Sequence, residues 1–277
     1  MKHIKVYVGP SESGMSLVQF IAHILQISKK QAKKRIDERC IFINGKRVWM
    51  AHHKINTSNE IEIIDSSRNV PYGHQVPILF EDDAFLIANK PPGIVSRGQN
   101  SLENALRKSM DMPALSAVHR LDKDTSGCII FAKCTDAANA LIALFARRLI
   151  KKTYHAIVRG ELTKRKLTLR RAIDGYRAIT HIDVLKTNEL ASYLQVRIET
   201  GRTHQIRKHL TGIGHPVIGD QTYGTSRRIS PIERAISRQM LHAFRLIFTH
   251  PLSGDSIRCT APLPDDFRDC LKRYNLK

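Results

Sequence analysis

The chain reads as an α+β protein in two parts. Residues 1–65 form a small basic module of a helix pair and β-strands. Residues 66–77 form a linker, and residues 78–277 form a larger domain with a mixed, largely antiparallel β-sheet and flanking helices. Three observations predict this. Apolar residues alternate with period two at Tyr154, Ala156, Val158 and at Leu194, Val196, Ile198, which marks half-buried strands. Leu17, Phe20, Ile21, Ile24 and Leu25 fall at helical spacing. Between the two patterns, DSSRNVPYGHQVP is polar and holds Pro71, Gly73 and Pro77, a linker composition that leaves the first part free to move relative to the second.

In chain order, Ser16 is placed to cap the first helix, over residues 16–27, and Ser28 a second, SKKQAKKRIDER. The second has only Ala32 and Ile36 as an apolar stripe. The rest is cationic, with Lys29, Lys30, Lys33, Lys34 and Arg35. Asn44-Gly45 between apolar runs signals a tight hairpin over 41–48, which also carries Lys46, and Glu60 to Ile64 reads as a further strand. The larger part opens with a hairpin over 78–88, then Asn89-Lys90-Pro91-Pro92-Gly93, then a short helix from Ser101 to Met110. A helix from Thr135 to Ile150 is expected, with Leu141, Ile142, Phe145 and Leu149 on one face. Strands follow at 154–159, 166–173, 179–185 and 191–199. Then come a helix at 203–210 and a strand near 243–249.

The totals bound the function. The 277 residues are 42% hydrophobic, enough for a sizeable core. Lys and Arg number 45 against 25 Asp and Glu, a formal charge of +20, which attracts polyanions by counterion release. No apolar run approaches membrane-spanning length, and the first residues lack a signal-type apolar core, so a cytoplasmic nucleic-acid binder without a membrane partner is expected. Cys40, Cys128, Cys134, Cys259 and Cys270 are scattered, without zinc spacing, and read as reduced buried thiols; no metal site is predicted.

Two stretches concentrate reactive groups. Strand–loop–strand is the simplest reading of Ala117 to Lys133, whose polar loop, His119 to Gly127, holds Arg120, Asp122 and Asp124. Thr200 to His209 holds Arg202 and Arg207, which with a helix N-terminus can hold a phosphate or a carboxylate. Asp122 paired with Arg207 is chemically coherent, since a desolvated carboxylate needs a cation to stay ionised. There is no G-x-S-x-G, P-loop or dinucleotide fingerprint, which removes support from hydrolase, kinase and dehydrogenase readings.

Six stretches then occur in a telling order: Asn89-Lys90-Pro91-Pro92-Gly93, His119-Arg120-Leu121-Asp122-Lys123-Asp124-Thr125-Ser126-Gly127, Lys152 to Gly160, Gly201 to Arg207, Gly219 to Gly224, and Leu241-His242-Ala243. Residues 78–270 thereby resemble the RluA family of pseudouridine synthases. Residues 1–65, with Cys40-Ile41-Phe42-Ile43-Asn44-Gly45-Lys46, resemble the αL RNA-binding module of a small-subunit ribosomal protein. Cys40 stands where that module has glycine, and Ser96-Arg97 where family members often carry a histidine.

The resemblance implies the pseudouridine synthase fold and isomerisation of uridine in RNA, with no cofactor and no metal. It implies Asp122 as the catalytic residue, attacking the sugar or removing a sugar proton. Tyr154 would stack on the uracil and assist proton removal from its ring carbon, Arg207 would pair with Asp122, Arg120 would fill the space the base vacates, and Lys90 and Leu241 would shape the site. Lys29, Lys30, Lys33, Lys34, Arg35 and Lys46 are expected on the RNA backbone. The expected RNA is large-subunit ribosomal RNA, with transfer RNA as the alternative, and the protein is expected to act as a monomer. The rivals are a non-catalytic RNA-binding or ribosome assembly protein, which has no need of Asp122, and a metal-dependent nuclease, which would lose activity in EDTA.

Overall fold

The computed structural model describes residues 3–37, 41–48, 50–64, 76–224, 230–234 and 236–277. The chain divides into two compact units, Met1–Val70 and Pro71–Lys277. Residues 66–75 of the expected linker lie outside the described residues. Val76 is buried in the core of the second unit, and the Pro77 carbonyl accepts a hydrogen bond from Asn89 N–H, so these two pack with the second unit, just ahead of its first strand.

The first unit is a four-stranded sheet in the order β1-β4-β2-β3, made of β1 His3–Tyr7, β2 Ile41–Ile43, β3 Lys46–Arg47 and β4 Glu60–Ile64. Helices α1 Leu17–Leu25 and α2 Lys29–Asp37 accompany it. Ser16 and Ser28 stand at the two helix starts as expected, though only Ser28 caps with its side chain. Gln19 accepts from Ser16 N–H, Gln31 accepts from Ser28 N–H, and Ser28 Oγ accepts from Gln31 N–H. Asn44 and Gly45 both take positive φ, as a type I′ hairpin requires. Leu17, Phe20, Ile21, Ala32, Ile36, Ile41, Ile43, Ile61 and Ile63 form the core. Lys29, Lys30 and Lys33 are exposed and Arg35 is half-buried. Cys40 and the side chains of Lys34 and Lys46 lie outside the described residues.

The second unit is built on one long sheet. Its strands are β5 Ile78–Glu81, β6 Phe85–Lys90, β7 Ser116–Ala117, β8 Ser126–Ala132, β9 Lys151–Arg159, β10 Lys166–Leu169, β11 Thr180–Thr187, β12 Ala191–Ile198, β13 Leu241–Thr249 and β14 Ser256–Thr260. The order is β10-β11-β12-β9-β13-β8-β6-β5, with β14 on β13 and β7 on β8. Among the described residues, these strands pair antiparallel except β13 with β8, which run parallel. Helices lie against both faces. Leu102 and Leu106 of α3 Leu102–Ser109 pack on Leu86, Ala88 and Ile129. Ala137 and Leu141 of α4 Thr135–Ala146 pack with Ile87 and Ile130. Ile206 and Leu210 of α5 Gln205–Gly212 pack with Ala156, Val158 and Val196. A short α6, Pro231–Arg234, precedes α7 Asp265–Arg273, whose Phe267, Cys270 and Leu271 pack with Ile157.

Several expectations are corrected. Helix α4 ends at Ala146 rather than Ile150, because Arg148 turns to a φ of 58°. Its expected apolar face is therefore broken: Leu141 is buried, but Ile142 and Leu149 are exposed. Cys128, Cys259 and Cys270 are buried thiols, while Cys134 is exposed.

Two rows of residues run across the middle of the sheet. Gly127 on β8 pairs with Ala243 on β13, which pairs with Tyr154 on β9. One residue along, Ser126, His242 and His155 align in the same way. Side chains alternate across a strand, so the Tyr154 row and the His155 row serve opposite faces.

The second row carries a pH dependence. His242 Nδ1 bonds Ser126 Oγ at 2.9 Å, His155 Nδ1 bonds Tyr193 Oη, and His155 Nε2 is buried without a partner among the described residues. Burial lowers both imidazoles to about 4, in His242 against its bond to the Ala261 carbonyl, which raises it. Each binds its proton in the unfolded chain from about pH 6.5 but in the fold only near 4, so stability is full above 6.5 and is lost as pH falls. Each should remove about 2 kcal/mol by pH 5. Urea unfolding midpoints should therefore drop between pH 7 and pH 5; a flat midpoint would overturn this.

Candidate active site

The loop between β7 and β8 is held along its length. Leu121 N–H donates to Ser96 Oγ at 3.0 Å, and Ser96 Oγ lies 3.0 Å from the Leu121 carbonyl. The Lys123 carbonyl accepts from Lys90 Nζ and from Gly93 N–H, each at 2.9 Å. The Asp124 carbonyl accepts from Arg238 at 3.1 Å, and Thr125 Oγ accepts from Gln239 at 2.9 Å. Arg238 is itself fixed by two bonds to Asp266, at 2.6 and 2.8 Å. Loop carbonyls and hydroxyls that would otherwise need water find protein donors, and the loop is rigid before any ligand arrives.

Gly127 explains the glycine that ends the loop motif. Its φ is +112°, and a Cβ there would sit 2.2 Å from the Ala243 carbonyl oxygen on the parallel neighbour. Gly127→Ala should therefore cost about 3 kcal/mol or more, read as a lowered melting temperature of the purified protein. An unchanged melt would show that β8 and β13 can separate at no cost.

The loop forms one wall of a cleft of about 100 Å3, lined by Arg120, Asp122, Thr125, Tyr154, Ile198, Leu241 and the segment 201–207. Arg207 Nη1 donates to Asp122 Oδ2 at 3.1 Å. The fork of Arg207 is spent elsewhere. Nε and Nη2 donate to the two oxygens of Asp220, at 2.6 and 2.8 Å. Asp220 has no exposed side-chain area and also accepts from Thr222 N–H and Tyr223 N–H. The Tyr223 ring lies 5.0 Å from the Arg207 guanidinium. Burial works against the Arg207 charge, but its bonds to Asp220 and then the charge of Asp122 outweigh it, and its pKa is raised. Burial likewise opposes ionisation of Asp220, and Arg207 overcomes it, leaving the carboxyl below its ordinary range.

Tyr154 is half-buried and packs on both neighbouring core clusters. Burial, and then the Asp122 charge, push its phenol well above the ordinary value, so it keeps its proton at neutral pH. His204, with a φ of 55°, places Nε2 at 3.8 Å from Asp122 Oδ1, beyond hydrogen-bond range, while Nδ1 bonds Tyr223 Oη at 3.0 Å.

The structure thus brings Arg120, Asp122, Tyr154, Arg207 and Leu241 to one cleft, with Arg120 exposed at its rim. Lys90 is not among the lining residues. Its ammonium is fully buried on the carbonyls of Pro91, Ile94 and Lys123, at 3.0, 2.7 and 2.9 Å. Burial lowers it to about 7 while the Asp124 charge raises it, and three carbonyls match the three N–H groups of the charged form. Through the Lys123 carbonyl Lys90 braces the loop. Arg202 and Arg207 do not converge on one anion: Arg207 is buried on Asp220, and Arg202 is exposed. Sequence reasoning missed Asp220 as the main partner of Arg207. The signal was present: a guanidinium has five donors, and one cleft carboxylate cannot occupy them all.

A model of the RNA pseudouridylate synthase family matches residues 84–211. A ribosomal large subunit pseudouridine synthase D from Pasteurella multocida is 33% identical over 292 aligned positions, covering 93% of this chain and 90% of its own length. Its namesake from Nitrosomonas europaea is 34% identical over 300 positions, covering 97% of this chain and 87% of its own. Among solved structures, human RNA pseudouridylate synthase domain containing 4 matches with a TM-score of 0.62 and 26% identity, over 72% of this chain and 93% of that one. With the intact loop motif, the shared fold and relatives that match nearly end to end, the chain belongs to the RluA family of RNA pseudouridine synthases.

Proposed function

We propose that this enzyme isomerises uridines of large-subunit ribosomal RNA, in the cytoplasm and as a monomer, with Asp122 as its catalytic residue. In the reaction the bond from N1 to the sugar breaks, the uracil turns, and C5 joins the same sugar carbon. C5 gives up a proton and N1 gains one, so nothing is added or removed. The observation that carries the reading is the cleft in which Asp122, held by Arg207, shares a lining with the Tyr154 ring. A flipped uracil needs an aromatic face to stack on, and the sugar needs an aimed carboxylate. The protonated phenol of Tyr154 suits hydrogen bonding to the base better than proton removal from it. Exposure of Arg120 at the rim supports its entry into the RNA stack, and the position of Leu241 in the lining supports its role as apolar wall.

The choice of ribosomal RNA is supported by the names of the full-length relatives. Residues 1–65 serve as a phosphate-binding module, supported by exposed Lys29, Lys30 and Lys33 along α2, with Lys34, Arg35 and Lys46 completing the basic set. Pseudouridine mapping in ribosomal and transfer RNA, from cells with and without the gene, tests the substrate. Sites lost only from large-subunit RNA are expected. Sites lost only from transfer RNA would overturn the choice.

A further inference from the structure

Beyond the cleft, the second unit presents the side chain of Tyr176 to solvent. Tyr176 is 62% exposed. It closes a tight turn, Ile173 to Tyr176, in which each of these two residues donates its N–H to the other's carbonyl at 2.9 Å. Asp174 and Gly175 take φ of 50° and 81°, the type I′ geometry. The backbone and the buried Ile173 hold this turn, so the Tyr176 ring is not needed for it.

The turn is tied to the helix that carries Arg207. Lys208 Nζ reaches both oxygens of Asp174 at 2.8 Å, and His209 Nε2 bonds the Arg171 carbonyl at 2.8 Å. The Arg202 guanidinium, from the segment that lines the cleft, lies 5.0 Å from the Tyr176 ring centroid. Arg202 is steadied in turn, its N–H donating to Gln205 at 3.1 Å. Arg170, Arg171 and Arg177 are exposed around the turn. An aromatic face backed by a guanidinium, rimmed with cations and referenced to the catalytic helix is what a stacked nucleobase needs. Apolar and cation–π contact hold the base, and the arginines meet its phosphates.

We propose that Tyr176 and Arg202 form a second nucleotide subsite at the edge of the cleft, stacking an unpaired base of the RNA that flanks the target uridine. The subsite holds the substrate strand in place and takes no part in the chemistry. It rests on RNA as the substrate and is independent of which RNA is modified.

The test uses the full chain and total RNA from cells lacking the gene, labelled with tritium at uridine C5, so the natural substrate is present whichever it is. Tyr176→Ala should lower kcat/KM by about tenfold, through KM, with kcat at saturating RNA retained. Tyr176→Phe should behave as wild type. The slope of log KM against log salt should not change, because no phosphate contact is removed. Irradiation with RNA carrying 4-thiouridine should cross-link the peptide that contains Tyr176. Wild-type kinetics for Tyr176→Ala, or no cross-link at that peptide, overturns the subsite. A fall in kcat with KM unchanged overturns it too, by assigning Tyr176 to the chemistry. Whether the tritium released comes from ribosomal or transfer RNA judges the substrate choice separately.

Discussion

Asp122→Asn is expected to lower turnover by about a thousandfold or more, with RNA affinity and melting temperature essentially unchanged. The reason is the division of labour around Arg207. Asp122 receives only one of its N–H groups, at 3.1 Å, and an asparagine oxygen can still accept it. The fork stays on Asp220, so the buried cation is never left unpaired. The substitution removes a charge and a reactive oxygen while leaving the frame. Tritium release and a binding titration on the same preparation check both halves. Turnover equal to wild type would remove Asp122 from the chemistry, and loss of folding would remove Asp220 as the main anchor.

Asp220→Ala is expected to do the reverse, striking the frame first. It strands a guanidinium whose side chain is 5% exposed, with only the partly exposed Asp122 to answer it. Breaking a buried pair in this way costs about 3–5 kcal/mol, or roughly 10 °C in melting temperature for a unit of this size. Thr222 N–H and Tyr223 N–H lose their acceptor as well, so the turn that follows Val217, the bridge partner of Val158 on β9, loosens. Turnover by the protein that still folds should fall too, because Arg207 is then free to swing wholly onto Asp122. An unchanged melt would mean that Asp122 alone can hold Arg207.

Much of the architecture was legible, because it depends on local periodicity. The serines at the starts of α1 and α2, the Asn44-Gly45 turn and the alternation along β9 and β12 each rest on residues within a few positions of one another. Strands β1 and β14 and helix α7 escaped notice. HIKVY, SIRCT and DDFRDCLKR are short or highly charged, and they are fixed by tertiary packing rather than by pattern. In the site, the loop motif marked Asp122, but its supports were invisible. Lys90, Ser96, Asp220, Arg238 and Gln239 act through partners distant in sequence or through backbone carbonyls, and no spacing rule reports such a bond. Lys90 shows the limit most clearly: the motif marks it as shaping the site, but not that it does so through three backbone carbonyls.

The parallel seam between β8 and β13 has a consequence in time. The supports of Asp124, Thr125 and Ser126 come from Arg238, Gln239 and His242, which lie 114 to 116 positions later in the chain. During synthesis Asp122 emerges well before the residues that brace its loop. Domain folding that depends on such distant contacts closes late. A chain made only as far as β8 therefore carries Asp122 in a loop without these supports, which form when the stretch from Arg238 to His242 is laid beside it.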